Sequence, residues 1–136
     1  MDPKAEALLT STRHGFLSHR VGDPGWSRPV PVWFEWDGEV ARVFSTASAP
    51  KVASLRDDPA AHLLVANEVG EPEAWVSITA DVQIGPVGGP WIEALASRYW
   101  DLGEAKRRAE LDGMLGSIDD FVLLTLTPTK VRSYAF

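Results

Sequence analysis

The chain has 136 residues, 45% of them hydrophobic and 24% charged, with 6 Trp, no Cys and a formal net charge of -6. This suits a single folded domain over residues 1–136, with neither a repeat nor a low-complexity block. An acidic chain without a Lys/Arg stripe is not expected to bind nucleic acid or an anionic membrane, and the missing Cys removes disulfides, thiol catalysis and thiolate metal sites. The first residues, MDPKAEALLTSTRHG, lack the apolar core of a signal peptide. No run is long enough to span a bilayer, so a cytoplasmic location is expected.

In chain order, Pro3 to Ser11 is expected to form one or two helical turns, with Ala5, Leu8 and Leu9 on one face. Gly15 to Val21 reads as a strand, and Gly22 to Arg28 as a loop in which Trp26 stands alone among polar residues. Pro29 to Trp36 alternates as one strand, with Val30, Val32, Phe34 and Trp36 on one face and Pro31, Trp33 and Glu35 on the other. Its prolines place the first half at an edge or beside a ligand. Asp37-Gly38 is a two-residue hairpin signal, and Val40 to Thr46 is the partner strand. Pro50 opens a helix that runs through Arg56 and stops at Asp57-Asp58-Pro59.

Ala60 to Asn67 and Ala74 to Ile84 are predicted strands around the polar turn Glu68 to Glu73. GPVGGP at Gly85 to Pro90 breaks the sheet and matches no nucleotide-binding motif. Trp91 to Tyr99 has helical spacing, and Glu104 to Leu115 is a further helix after Gly103. Phe121 to Leu126 is a strand, Pro128 begins a turn, and Val131 to Phe136 is a last strand. Six or seven strands in hairpin succession with three helices predict an α+β, mainly β fold: an antiparallel barrel with peripheral helices.

Two features point to ligand chemistry. The start of the helix at Pro50 presents free N–H groups, with Ser45, Thr46 and Ser48 before it and Lys51 in its first turn. Such a set can hold a phosphate; the same hydroxyls also serve as plain N-caps, and the same Lys as a solvated surface residue. Just upstream, Pro31, Val32 and Trp33 join an edge-like backbone to a large ring, as a flat heteroaromatic ligand requires. Phe34 and Trp36 are expected in the core. Trp33 is expected as pocket wall or interface. His14, His19 and His62 are scattered, without metal-ligand spacing, and no metal site is expected. His19 and Arg20 sit on a strand that could border the pocket. No acid–base pair stands out, so no catalytic residue is assigned.

The run RPVPVWFEWDGEVARVFSTASAPKVASLRDDPAAHLLV resembles the pyridoxamine 5′-phosphate oxidase-like, FMN-binding split-barrel superfamily, and within it the flavin/deazaflavin oxidoreductases. The resemblance rests on Pro31–Phe34 (PVWF), Asp37-Gly38, Phe44–Thr46 (FST), Lys51 and Leu55–Pro59 (LRDDP). It implies a split barrel acting as a homodimer, with FMN or coenzyme F420 bound at the interface and hydride passed to or from a small organic substrate. It further implies that Pro31, Val32 and Trp33 meet the cofactor ring, that Ser45, Thr46 and Lys51 hold its phosphate, and that Ser77 makes a polar contact. Ala49-Pro50 stands where the superfamily often carries another basic residue. The alternative is a non-catalytic split-barrel module that carries a flavin, haem or other ligand, or an orphan without a cofactor.

Overall fold

The computed structural model describes residues 1–22 and 25–135. Asp23 and Pro24 of the expected loop, and Phe136 of the expected last strand, lie outside them. The helices are α1 (Pro3–Thr10), α2 (Pro50–Asp57), α3 (Gly89–Tyr99) and α4 (Ala105–Gly116), with a 3-10 turn at Ile118–Asp120. The strands are β1 (Gly15–Gly22), β2 (Gly25–Trp26), β3 (Val30–Val32), β4 (Glu35–Trp36), β5 (Ala41–Thr46), β6 (Ala60–Ala66), β7 (Ala74–Pro86) and β8 (Phe121–Ala135). They form one antiparallel sheet in the order β2-β1-β6-β7-β8-β5-β4, with β3 beside β1.

The expected single strand from Pro29 to Trp36 is two strands. Val30 to Val32 pairs with Leu17 to Gly15, whereas Glu35 and Trp36 pair with Arg42 and Ala41 at the other end of the sheet. The chain thus bridges the two ends, and the barrel is split at Trp33-Phe34 rather than laddered shut. A buried N–H outside a ladder needs another partner. The Tyr99 hydroxyl of α3 accepts from the Phe34 N–H at 3.2 Å and donates to the Arg13 carbonyl at 2.7 Å.

Three further details differ from expectation. The turn after β4 spans four residues, because the Asp37 carboxylate accepts from the N–H groups of Glu39 and Val40 at 2.8 Å each. Gly38 sits there at φ +99°, where a side chain would be strained. Pro128 does not turn the chain. β8 continues past it through a bulge at Thr129, whose hydroxyl donates to the Thr79 carbonyl at 3.1 Å. Trp26 and its neighbour Gly25 form a short strand against β1.

Parity along the strands fills the barrel. Leu17, Phe34, Val43, Leu63, Ile78 and Leu124 are buried inside it, each worth about 1.5–3 kcal/mol relative to exposure. Gly15 fits closely among them: a Cβ there would lie 2.7 Å from Leu63 Cδ1 and 3.2 Å from Phe34 Cδ1, so a side chain would have to shift. α1 adds Ala5, Leu8 and Leu9, as its spacing predicts; Asp2 accepts from the Lys4 N–H, and Glu6 accepts from the Trp36 indole N–H. A second cluster lies outside the barrel, where Ile92, Ala96 and Leu111 of α3 and α4 pack with Trp33, Phe44 and Trp100. That cluster forms one wall of the site described next. No helix among the described residues is long and apolar enough to cross a membrane.

Candidate functional site

The split leaves Trp33 facing the outer helices, and there its ring is held on several sides. It stacks on Tyr99 with centroids 5.0 Å apart and planes at 10°, and meets Trp100 edge-on at 4.7 Å. Phe44 touches it edge-on at 6.2 Å. The Arg107 guanidinium lies 4.7 Å over the Trp100 ring and fixes its outer side.

Beside this aromatic wall runs a groove of about 340 Å³, lined by Pro31, Val32, Trp33, Phe44, Lys51, Trp100 and Met114. Four of the expected site residues therefore meet at one place: Pro31, Val32, Trp33 and Lys51. Lys51 arrives in the first turn of α2, whose N-cap, Ala49, offers no side-chain cap. The plain N-cap role for the preceding hydroxyls is therefore not realised. Lys51 is half-buried, and burial holds its ammonium below the usual lysine pKa. Among the described residues it joins no ion pair. A desolvated, uncompensated cation next to an apolar groove is the electrostatic half of an anion site.

Lys51 also borders a smaller, more enclosed cavity of about 100 Å³, with Leu17, His19, Ser27, Arg28, Val30 and Leu55. His19 shares parity with Gly15 and Leu17, which turns it toward α2. Arg20, the other candidate on β1, is held by Asp58 through a bidentate pair at 2.8 Å.

The other expected residues stand apart from the groove. Ser45 is buried, and its hydroxyl donates to the Thr46 carbonyl at 3.2 Å. The signal for this was present, since Ser45 shares parity with Ala41 and Val43 and so points inward. Thr46 and Ser48 line a separate open pocket together with Glu110, Asp119 and Asp120. Ser77 lies on the outer face of β7, 2.6 Å from His62 Nε2, and the edge of Trp26 approaches His62 at 6.1 Å. Burial lowers the His62 pKa. Sequence reasoning missed Trp100 as a groove residue and Tyr99 as the ring stacked on Trp33, because helical spacing assigns both to ordinary packing. It also missed Ser27 and Arg28, which only the return of the chain from β2 to β3 brings to α2. Among the described residues no group of His, Asp and Glu could hold a metal ion.

No protein-family model matches the chain, and no curated protein matches it. Solved structures do. An F420 reductase is 23% identical, with 97% of this chain and 98% of that chain covered and a TM-score of 0.75. A Clostridium acetobutylicum protein of the pyridoxine phosphate oxidase family, related to general stress protein 26, is 18% identical over 97% of this chain and 86% of that one, with a TM-score of 0.67. A FAD-binding protein from Mesorhizobium loti is 17% identical over 96% and 89%, with a TM-score of 0.57. The fold of this chain is the split β-barrel of these proteins, as the sequence resemblance implied.

Proposed function

We propose that this chain is a homodimeric oxidoreductase that binds FMN or coenzyme F420 and transfers hydride between that cofactor and a small organic substrate. The observation that carries the reading is Lys51, half-buried and without an ion pair among the described residues, lining an apolar groove together with Pro31, Val32 and Trp33. The groove fits an amphipathic cofactor in its donor set, with apolar and aromatic surface for a flat ring and a cation for its phosphate. Structures of the same fold include an F420 reductase and a FAD-binding protein, which supports a flavin-type ligand.

The bound cofactor would supply the hydride chemistry; the protein supplies binding, orientation and exclusion of water. In this reading Val32, Trp33, Phe44, Trp100 and Met114 shield the ring. The Tyr99 stack and hydroxyl hold Trp33 and the backbone at Phe34 in place. Lys51 holds the phosphate and needs its proton to do so. Apart from Lys51, the groove lining carries no titratable group, which suits a transfer in which the protein moves no proton. The same lining equally suits a carrier without catalysis.

The dimer would form through the outer face of the sheet. There Phe16, Leu64 and Tyr134 are 40%, 36% and 45% exposed, more apolar surface than a solvated sheet face usually shows. Ser77 lies on that face, so its proposed cofactor contact belongs to the interface. Ser45 and Thr46, also expected at the phosphate, have no part in this reading, because Ser45 is buried with its hydroxyl on the Thr46 carbonyl and Thr46 opens onto the acidic pocket.

Titration of the purified chain with FMN and with F420, followed by tryptophan quenching, tests binding. Binding of one of them at about micromolar concentration (about -8 kcal/mol) is expected. Reoxidation of the reduced cofactor by quinones or unsaturated carbonyls then separates an enzyme from a carrier. Sedimentation that finds only monomer would remove the interface part of the reading.

A further inference from the structure

We propose that the enclosed cavity behind Lys51 is the phosphate pocket, and that Arg28 supplies the second cation which the sequence lacks at Ala49-Pro50. The inference rests on the cofactor reading above and deepens it. It transfers the anion from the Thr46–Ser48 side of the α2 start to the opposite side, between α2, β1 and the chain entering β3.

Four observations support it. The first is the lining: Lys51, Arg28, His19 and Ser27 with Leu17, Val30 and Leu55, and no carboxylate among the described residues there. Secondly, two of these groups are withdrawn from solvent without a partner. Half-buried Lys51 joins no ion pair among the described residues, and His19 Nδ1 is buried without a hydrogen bond; Arg28 is exposed and joins no ion pair there either, which leaves its guanidinium available to a ligand. A buried polar atom left unpaired costs about 1–3 kcal/mol, so its retention points to a partner that arrives from outside. Thirdly, the Ser27 hydroxyl oxygen already accepts from the His19 N–H at 2.9 Å, and the Ser27 N–H donates to the His19 carbonyl at 2.8 Å. The hydroxyl proton of Ser27 is therefore left to donate. Together the set offers two cations, an imidazole and a hydroxyl around a space of about 100 Å³, which suits one tetrahedral oxyanion.

The fourth observation is continuity. Lys51 lines both this cavity and the aromatic groove, so one ligand can place a ring in the groove and an anion in the cavity. The opposite side cannot compete electrostatically. The hydroxyls of Thr46 and Ser48 there face Glu110, Asp119 and Asp120, and a phosphate would meet carboxylates rather than cations.

The shared chemistry is a phosphate group, either the ester of a bound cofactor or free inorganic phosphate. The test compares FMN, riboflavin and inorganic phosphate as ligands of the full chain and its Arg28→Met, Arg28→Lys and Thr46→Ala variants, with melting curves to establish folding. FMN is expected to bind at least about tenfold tighter than riboflavin, as for charge-assisted hydrogen bonds. Arg28→Met should remove about tenfold of that preference and leave riboflavin binding unchanged, while Arg28→Lys restores part of it and Thr46→Ala keeps it whole. Inorganic phosphate titrated against labelled protein should shift the NMR amide signals of His19, Arg28 and Lys51. Phosphate shifts without binding of either FMN or F420 would uphold the cavity and sink the cofactor reading. An FMN preference insensitive to Arg28→Met, or phosphate shifts confined to Thr46 and Ser48, would overturn the proposal.

Discussion

The two sides of the α2 start are made from adjacent residues and have opposite characters. On one side Thr46 and Ser48 line an open pocket together with Glu110, Asp119 and Asp120. On the other, Lys51 is half-buried between an aromatic groove and a cavity shared with Arg28 and His19. A helix start favours anions on both sides through its free N–H groups, by about 0.3–1 kcal/mol near the surface. That is smaller than the contribution of one charge-assisted hydrogen bond in a partly desolvated site. The surrounding side chains therefore decide which side receives an anion. Hydroxyls ahead of a helix are a weak guide until the facing elements are known.

Substitutions can break this comparison, the largest effect first. Lys51→Ala should weaken FMN or F420 binding by about 1–3 kcal/mol, the loss of a charge-assisted hydrogen bond, read by titration of folded protein. Tyr99→Phe should destabilise the chain by about 1–3 kcal/mol in denaturant unfolding, because the Phe34 N–H loses its acceptor and the Arg13 carbonyl its donor at the split. It should also loosen the groove, so ligand affinity should fall with it. Thr46→Ala should change affinity by less than about 0.5 kcal/mol, as for a surface substitution away from the site. An effect as large as that of Lys51→Ala would return the phosphate to the acidic side.

The pH dependence sharpens the same contrast. Burial lowers the folded-state pKa of Lys51 from its ordinary 10.5. Below the lowered value the ammonium is charged in both folded and unfolded chains, and its desolvation opposes folding in full. As pH rises from the folded value toward 10.5, that penalty disappears. Ligand binding runs the other way and weakens over the same window, because the anion needs the charged form. The measurement is a double difference, native against Lys51→Met, in unfolding and in binding. The free Lys51→Met chain should be slightly more stable than native below the window. Equal stability would mean that the ammonium is better solvated than its burial implies.

Much of the fold was legible because its rules are local. The parity of Ala74 to Ile84, the apolar face of α1 and the stop at Asp57-Asp58-Pro59 each depend on neighbouring residues, and all appear as expected. What escaped depends on distant partners. Alternation runs unbroken through Trp33-Phe34, yet the ladder breaks there, because a hydroxyl from Tyr99 takes the Phe34 N–H. Pro128 reads as a turn in isolation, but β7 holds both flanks in register and the irregularity becomes a bulge. The site divided along the same line. Lys51 and Pro31 to Trp33 lie close in sequence, and their approach was readable. Arg28 comes from the chain before β3 and the adjacent Tyr99 and Trp100 from the end of α3, and no spacing could have linked the two segments.

The central claim, a flavin-type ligand seated at Lys51 and Trp33, is tested most directly by equilibrium titration of native and Lys51→Ala protein with FMN and F420. One cofactor should quench native tryptophan fluorescence with a Kd at or below about 1 μM, and Lys51→Ala should raise that Kd by about tenfold or more. Failure of both cofactors to bind folded native protein, or equal affinity for native and Lys51→Ala protein, would contradict it.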